Sequence, residues 1–147
     1  MELILWRHAD AEDGARDEER SLTAKGRKQA RHMADWLKQR LPRGARILVS
    51  RTQRTQQTAR ALATRFKVSD DVGPEATPQS VLRAANWPRG EGTVLVVGHQ
   101  PILGQVAALA LTGAPTDWNF PKGAIWWLTS GDGDEAAVRT VITPDLL

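Results

Sequence analysis

Residues 93–101 read TVLVVGHQP. After Thr93 come four apolar residues, Val94 to Val97, and the run stops at once in Gly98, His99, Gln100 and Pro101. A short, unbroken apolar run marks a strand buried on both faces, as in a parallel sheet. Proline is accepted in the first turn of a helix, and the chain from Pro101 to Leu111 is almost wholly apolar. The stretch therefore reads as a buried strand, a tight exit and a buried helix. The same form occurs twice upstream: Leu3 to Trp6 runs into Arg7 and His8, and Arg46 to Ser50 runs into Arg51.

Between these strands the pattern turns helical. Asp10 to Ser21 is polar and reads as a solvated loop that includes Asp10 and Glu12. Thr23 can cap a helix whose inner face is Ala30, Met33, Ala34, Leu37 and Leu41. Pro42 and Gly44 end it. A second helix is expected over 55–66, with Ala59, Leu62, Ala63 and Phe66 facing inward, and a short one over 79–86. Residues 69–78 break regular structure. Residues 124–129 and 137–142 read as two strands around a turn containing Gly131 and Gly133, an antiparallel hairpin. The class is α/β: a mostly parallel sheet with helices on both faces and a C-terminal antiparallel hairpin. No repeat or linker divides the chain, so 1–147 is read as one domain.

Composition narrows the function. A chain of 147 residues can bury roughly 70% of its unfolded surface without covalent staples. The absence of cysteine removes disulfides, thiolate metal sites and cysteine nucleophiles. No stretch reaches the roughly 20 apolar residues of a membrane span, and no signal peptide is evident. A soluble cytoplasmic protein is expected. The net charge is only +3, with no RNA-reading aromatic motif or zinc-finger spacing, so neither nucleic acid nor membrane is expected as a partner.

Ligands of such sheets bind beyond the carboxyl ends of the strands. The first strand ends in Arg7 and His8, the second in Ser50 and Arg51 with Arg54 a turn later, the third in Gly98 and His99. Parallel strands bring these exits to one edge. A guanidinium binds phosphate oxygens through two parallel N–H bonds. An imidazole is nucleophilic near neutral pH when its cationic form is disfavoured, and neighbouring arginines disfavour it. The constellation suits attack by a histidine nitrogen on a phosphoryl group. His32, alone on its helix, is read as a surface or packing residue, and the tryptophans as packing, with Trp6 and Trp118 also placed to flank a cleft.

In this arrangement the sequence resembles the histidine phosphatase superfamily, the phosphoglycerate mutase-like fold. WRHADAE at the start, LTAKGRKQA after the first loop, ILVSRTQRTQQTA in the middle and VLVVGHQP toward the end carry the resemblance. Within the superfamily the chain is most similar to the short SixA-type phosphohistidine phosphatases. The resemblance implies that His8 is the nucleophile that becomes phosphohistidine, that Arg7 and Arg54 grip the phosphoryl oxygens, and that His99 donates to them. It implies a supporting place for Thr58 and close helix packing at Gly26. Ala9 replaces a family glycine and requires a backbone φ that is not strongly positive. Arg51 stands where the family commonly has proline and is a candidate substrate-binding cation. Many relatives carry a general acid after the second helix, and Glu75 is the nearest candidate.

The expectation is a phosphatase needing neither metal nor cofactor, because the arginines and His99 neutralise the phosphoryl charge. Its substrate is expected to be a phosphoprotein bearing phosphohistidine. The alternatives are a small phosphorylated substrate such as a sugar or nucleotide phosphate, and a catalytically weak phosphate-binding module.

Overall fold

The computed structural model describes residues 1–147. Its elements in chain order are β1 (Glu2–Arg7), α1 (Ala24–Lys38), β2 (Arg46–Val49), α2 (Gln53–Arg60), β3 (Lys67–Val68), α3 (Pro78–Ala84), β4 (Thr93–Gly98), α4 (Ile102–Thr112), β5 (Ile125–Ser130) and β6 (Ala136–Ile142). All six strands form one sheet in the order β3-β2-β4-β1-β5-β6. The first four of that order are mutually parallel, whereas β5 runs antiparallel to β1 and to β6.

Alternation along the central strands feeds two cores. Leu3, Leu5, Val94 and Val96 point to one face and pack with Val81, Leu103, Val106 and Ala107 from α3 and α4. Ile4, Trp6, Leu95 and Val97 point to the other and pack with Met33, Ala34 and Leu37 of α1 and Ala59 of α2. Both faces of β1 and β4 are therefore covered, which is why these strands lack polar alternation.

One close approach fixes the loop after β1. A Cβ added to Gly26 would stand 1.9 Å from the carbonyl oxygen of Asp10. That carbonyl accepts from the Thr23 N–H at 3.0 Å, and the Thr23 hydroxyl accepts from the Gly26 N–H at 2.9 Å, capping α1. The cap and the loop that follows His8 are thus one hydrogen-bonded unit. Asp10, expected in a solvated loop, accepts instead from the Thr23 hydroxyl at 2.7 Å and from Lys122 at 3.0 Å.

Three expectations shift. α2 starts at Gln53 because Thr52 caps it, and it stops at Arg60 rather than at 66. The chain then turns so that Lys67 and Val68 can pair with Leu48 and Val49 of β2. Leu62 and Phe66 pack on the core from that turn. β3 had no apolar signature because both of its residues are exposed. Trp6 is fully buried with its indole N–H on the Gly123 carbonyl, and Trp118 packs on Trp126, so neither flanks the cleft.

Candidate active site

The register of the sheet brings three exits together. Arg7 is paired with Gly98 across β1 and β4, and Val49 with Val97 across β2 and β4. The next residues hold to the same sheet edge: the His8 N–H donates to the Gly98 carbonyl and the Ser50 N–H to the Val97 carbonyl, each at 3.1 Å. His8, His99 and, from the first turn of α2, Arg54 converge there, only 5–6% exposed. Together with Arg7 they line a cleft of about 260 Å³.

His8 is fixed in one tautomer. Its Nδ1 lies 2.7 Å from the Ala9 carbonyl. A carbonyl only accepts, so Nδ1 carries the proton and Nε2 keeps its lone pair. Burial lowers the pKa of His8 to about 4, with Arg54, Arg7 and Arg20 pushing the same way against the pull of the Ala9 carbonyl. His99, whose ring centre is 5.5 Å from that of His8, is lowered to about 3 by burial, then by Arg54 and His8. Both rings are neutral at pH 7.

The arginines are held from outside the sheet. Arg54 donates to the backbone carbonyl of Asp17 at 2.8 Å and to its carboxylate at 3.2 Å. Arg7 donates to the Phe120 carbonyl at 2.7 Å. The Nε–H of each is buried without an acceptor. The protein's own acceptors leave both guanidinia short of hydrogen bonds, a costly condition for buried donors and one that suits an anion site.

Two more cations line the cleft, Arg20 and Lys122, and neither was read from the sequence as part of the site. Arg20 donates to Asp17 at 3.0 Å and to the Glu12 carbonyl at 2.7 Å. Asp17 therefore bridges Arg20 and Arg54, and hydrogen bonds from these two hold its carboxyl below the usual range. It too went unread, because it sits in a run of charges that looks uniformly solvated.

The remaining candidates lie apart. Arg51 does not line the cleft. Its guanidinium meets Glu18 at 2.8 Å, Asp70 at 3.0 Å and Glu75 at 3.8 Å on the rim. Glu75, the candidate acid, has a side chain 87% exposed and turned to Arg51. No carboxylate lines the cleft. Ala9 is buried and outside the positive-φ region, so alanine fits in place of glycine. Its N–H donates to the Thr58 hydroxyl at 3.1 Å, and that hydroxyl donates to the Arg54 carbonyl at 2.8 Å. Thr58 thus ties the loop that follows His8 to the helix that carries Arg54.

The family model for the histidine phosphatase superfamily (branch 1) matches residues 3–76. The chain is 35% identical over 145 residues to the phosphohistidine phosphatase SixA of Escherichia coli (strain K12), covering 90% of this chain and 89% of that protein. It is 33% identical over 124 residues to the SixA homolog of Haemophilus influenzae, covering 74% of this chain and 76% of that one. A solved structure of the protein histidine phosphatase SixA complexed with tungstate superposes with a TM-score of 0.83 at 27% identity, covering 99% of both chains.

Proposed function

The chain belongs to the histidine phosphatase superfamily, and from that premise we infer that it is a phosphatase that removes the phosphoryl group from phosphohistidine in a protein, working as one catalytic domain over 1–147. The observation that carries the substrate class is the lack of a carboxylic acid placed to give up a proton: none lines the cleft of Arg7, Arg54, Arg20 and Lys122, and the Asp17 carboxyl, bonded to Arg20 and Arg54, is held below the usual range and so ionised. An ester substrate leaves as an alkoxide and needs a proton from an acid. Phosphohistidine can carry a proton on its own ring near neutral pH, so its imidazole departs neutral and no acid is required. The likeness to phosphohistidine phosphatases and the tungstate complex of a relative agree with this reading.

In the first step the free Nε2 of His8 attacks phosphorus in line with the leaving nitrogen. The old N–P bond breaks and its electron pair stays on the departing ring. His8 then bears the phosphoryl group on Nε2 and the proton on Nδ1, a cationic ring that the Ala9 carbonyl stabilises at 2.7 Å. Arg7, Arg54 and His99 face the phosphoryl oxygens, whose charge shifts in the loose transition state, so preorganised donors supply most of the catalysis. In the second step water attacks phosphorus, the electron pair returns to Nε2, and dihydrogen phosphate leaves with both protons of the water.

The test compares kcat/KM for a phosphohistidine-bearing protein with that for p-nitrophenyl phosphate and sugar phosphates at one pH. The phosphohistidine protein is expected to be favoured by at least about tenfold, roughly 1.4 kcal/mol of transition-state binding. A sugar or nucleotide phosphate turned over faster overturns the substrate assignment.

A further inference from the structure

Positive charge is concentrated on one helix. α1 carries Lys25, Arg27, Lys28, Arg31 and Lys38 against the single acid Asp35. This surplus of four exceeds the net +3 of the whole chain, so the other elements together are slightly acidic. Of the five cations only Lys38 has a carboxylate within ion-pair reach, Asp35 at 3.9 Å. Three of them lie near the helix start, where no acid is present. That is the positive end of the helix dipole, where acids are favoured and cations are not. Local electrostatics oppose the placement, and such departures from local rules concentrate at functional surfaces.

Lys25, Lys28 and His32 recur at helical spacing on one stripe of α1 and, with Gln29, line an open groove of about 560 Å³. Lys122 and Asp10, bonded to each other at 3.0 Å, and Asp145 complete its charged lining, so the groove carries three cations against two carboxylates, and Lys25 and Lys28 are the two cations without an ion-pair partner. Lys122 also lines the catalytic cleft, so groove and cleft adjoin at this side chain. The rim around Arg51 has the opposite character, with Glu18, Asp70 and Glu75 gathered there. The two surfaces differ in sign: α1 carries a net positive charge and the Arg51 cluster a net negative one.

We propose that the α1 groove is the docking surface for an acidic face of the protein that presents the phosphohistidine, a conclusion that rests on the substrate reading above. A cleft of about 260 Å³ holds a phosphoryl group and its ring with few further contacts. Partner selection then falls to the surface beside it. Unpaired lysines attract a carboxylate-rich surface over a distance, raising the encounter rate and setting its orientation. A nucleic acid would feel the same attraction, but the groove offers no Phe, Tyr or Trp on which a base can stack, and it adjoins a cleft suited to a phosphorylated side chain.

The experiment uses two synthetic phosphohistidine peptides of equal length, one flanked by glutamates and one by lysines, with free phosphohistidine as the reference. The wild type is expected to turn over the glutamate peptide with a kcat/KM at least about tenfold above the lysine peptide at low salt, an advantage that shrinks as salt screens it. Lys25→Glu/Lys28→Glu is expected to remove or invert the preference and to leave free phosphohistidine within about twofold of wild type. Acids suit a first helical turn, so the variant should melt no lower than wild type, and the melt excludes misfolding as the cause. Equal turnover of the two peptides by wild type, or a preference that survives charge reversal, overturns the docking surface while leaving the substrate reading standing. Retention of duplex DNA at a salt concentration that releases an unphosphorylated glutamate peptide reassigns the groove to nucleic acid. Failure to hydrolyse any of the three phosphohistidine substrates overturns the substrate reading, and this inference with it.

Discussion

The hydroxyl of Ser50 lies 2.7 Å from Nε2 of His99, with both residues buried. On the other side of the ring, Nδ1 is 3.5 Å from Nη2 of Arg54. A guanidinium only donates, so Nδ1 holds a lone pair in the free enzyme and Nε2–H donates to Ser50. When a phosphoryl dianion enters, its charge favours a proton on Nδ1, and the ring can donate to the anion while Ser50 still accepts from Nε2. Ser50→Ala leaves that Nε2–H without an acceptor. The expected result is a loss of about 10- to 100-fold in kcat, roughly 1.4–2.7 kcal/mol, with a shifted His99 nitrogen signal in NMR. A kcat and a signal equal to wild type would show that Ser50 only fills space.

Arg7→Ala and Arg54→Ala are each expected to lower kcat/KM by about 10²–10³, roughly 3–4 kcal/mol, as for loss of one preorganised donor. Arg60, exposed at the end of α2 and bonded to Gln56, serves as the control, and Arg60→Ala should be near wild type. Glu75→Gln should also be near wild type, since Glu75 faces Arg51 outside the cleft. EDTA should leave the rate unchanged. A tenfold loss in Glu75→Gln would restore a general acid to the mechanism.

The strand runs, the exits and the pairing of His8 with His99 were legible because each depends on a few consecutive residues. Leu3 to Trp6 and Val94 to Val97 announce buried strands, and parallel pairing alone then places Arg7, His8 and His99 on one edge. Arg51 and Asp17 were not legible. Arg51 reads as a substrate-binding cation and Asp17 as one solvated charge among many, because their partners are remote in sequence: Arg51 meets Asp70, and Asp17 meets Arg54, 37 residues away. Which cation is bound to acids and which is left for a ligand depends on those long-range pairs. The end of α2 was missed for a related reason. Ala61 to Phe66 keeps a helical apolar spacing, but the chain must turn there to pair Lys67 and Val68 with β2.

The histidines set the response to acid. Burial holds His8 near 4 and His99 near 3, below their ordinary 6.5. Between about 6.5 and the folded values the unfolded chain binds more protons than the folded one, so stability falls as pH drops through that window. Above about 6.5 these groups contribute no pH dependence. Thermal melts from pH 8 to 4 should show a flat region and then a decline, shallower in His99→Asn. For an acid-stable phosphorylated substrate, kcat/KM should hold to about pH 5 and fall as His8 takes up a proton near 4. A decline of kcat/KM centred near 6.5 would show that His8 is not buried among the arginines as described.

Gly26→Ala tests the packing that holds the loop after His8. The added Cβ would meet the Asp10 carbonyl at 1.9 Å, so α1 or the loop must move. Overpacking of this kind costs about 1–3 kcal/mol or more, and displacement of the loop should also lower kcat. Thr23→Ala removes the cap, at about 1 kcal/mol, together with the hydroxyl's bond to the Asp10 carboxylate, and adds no clash. A Gly26→Ala protein as stable and active as wild type would contradict the close approach.

The most direct test is the covalent intermediate. The enzyme is mixed with an isotopically labelled phosphohistidine substrate, quenched in base, digested and mapped by mass spectrometry. Phosphoryl label is expected on His8, base-stable and acid-labile, and it should be absent from His8→Ala together with the activity. Label on His99 or His32, or full activity in His8→Ala, would contradict nucleophilic attack by His8.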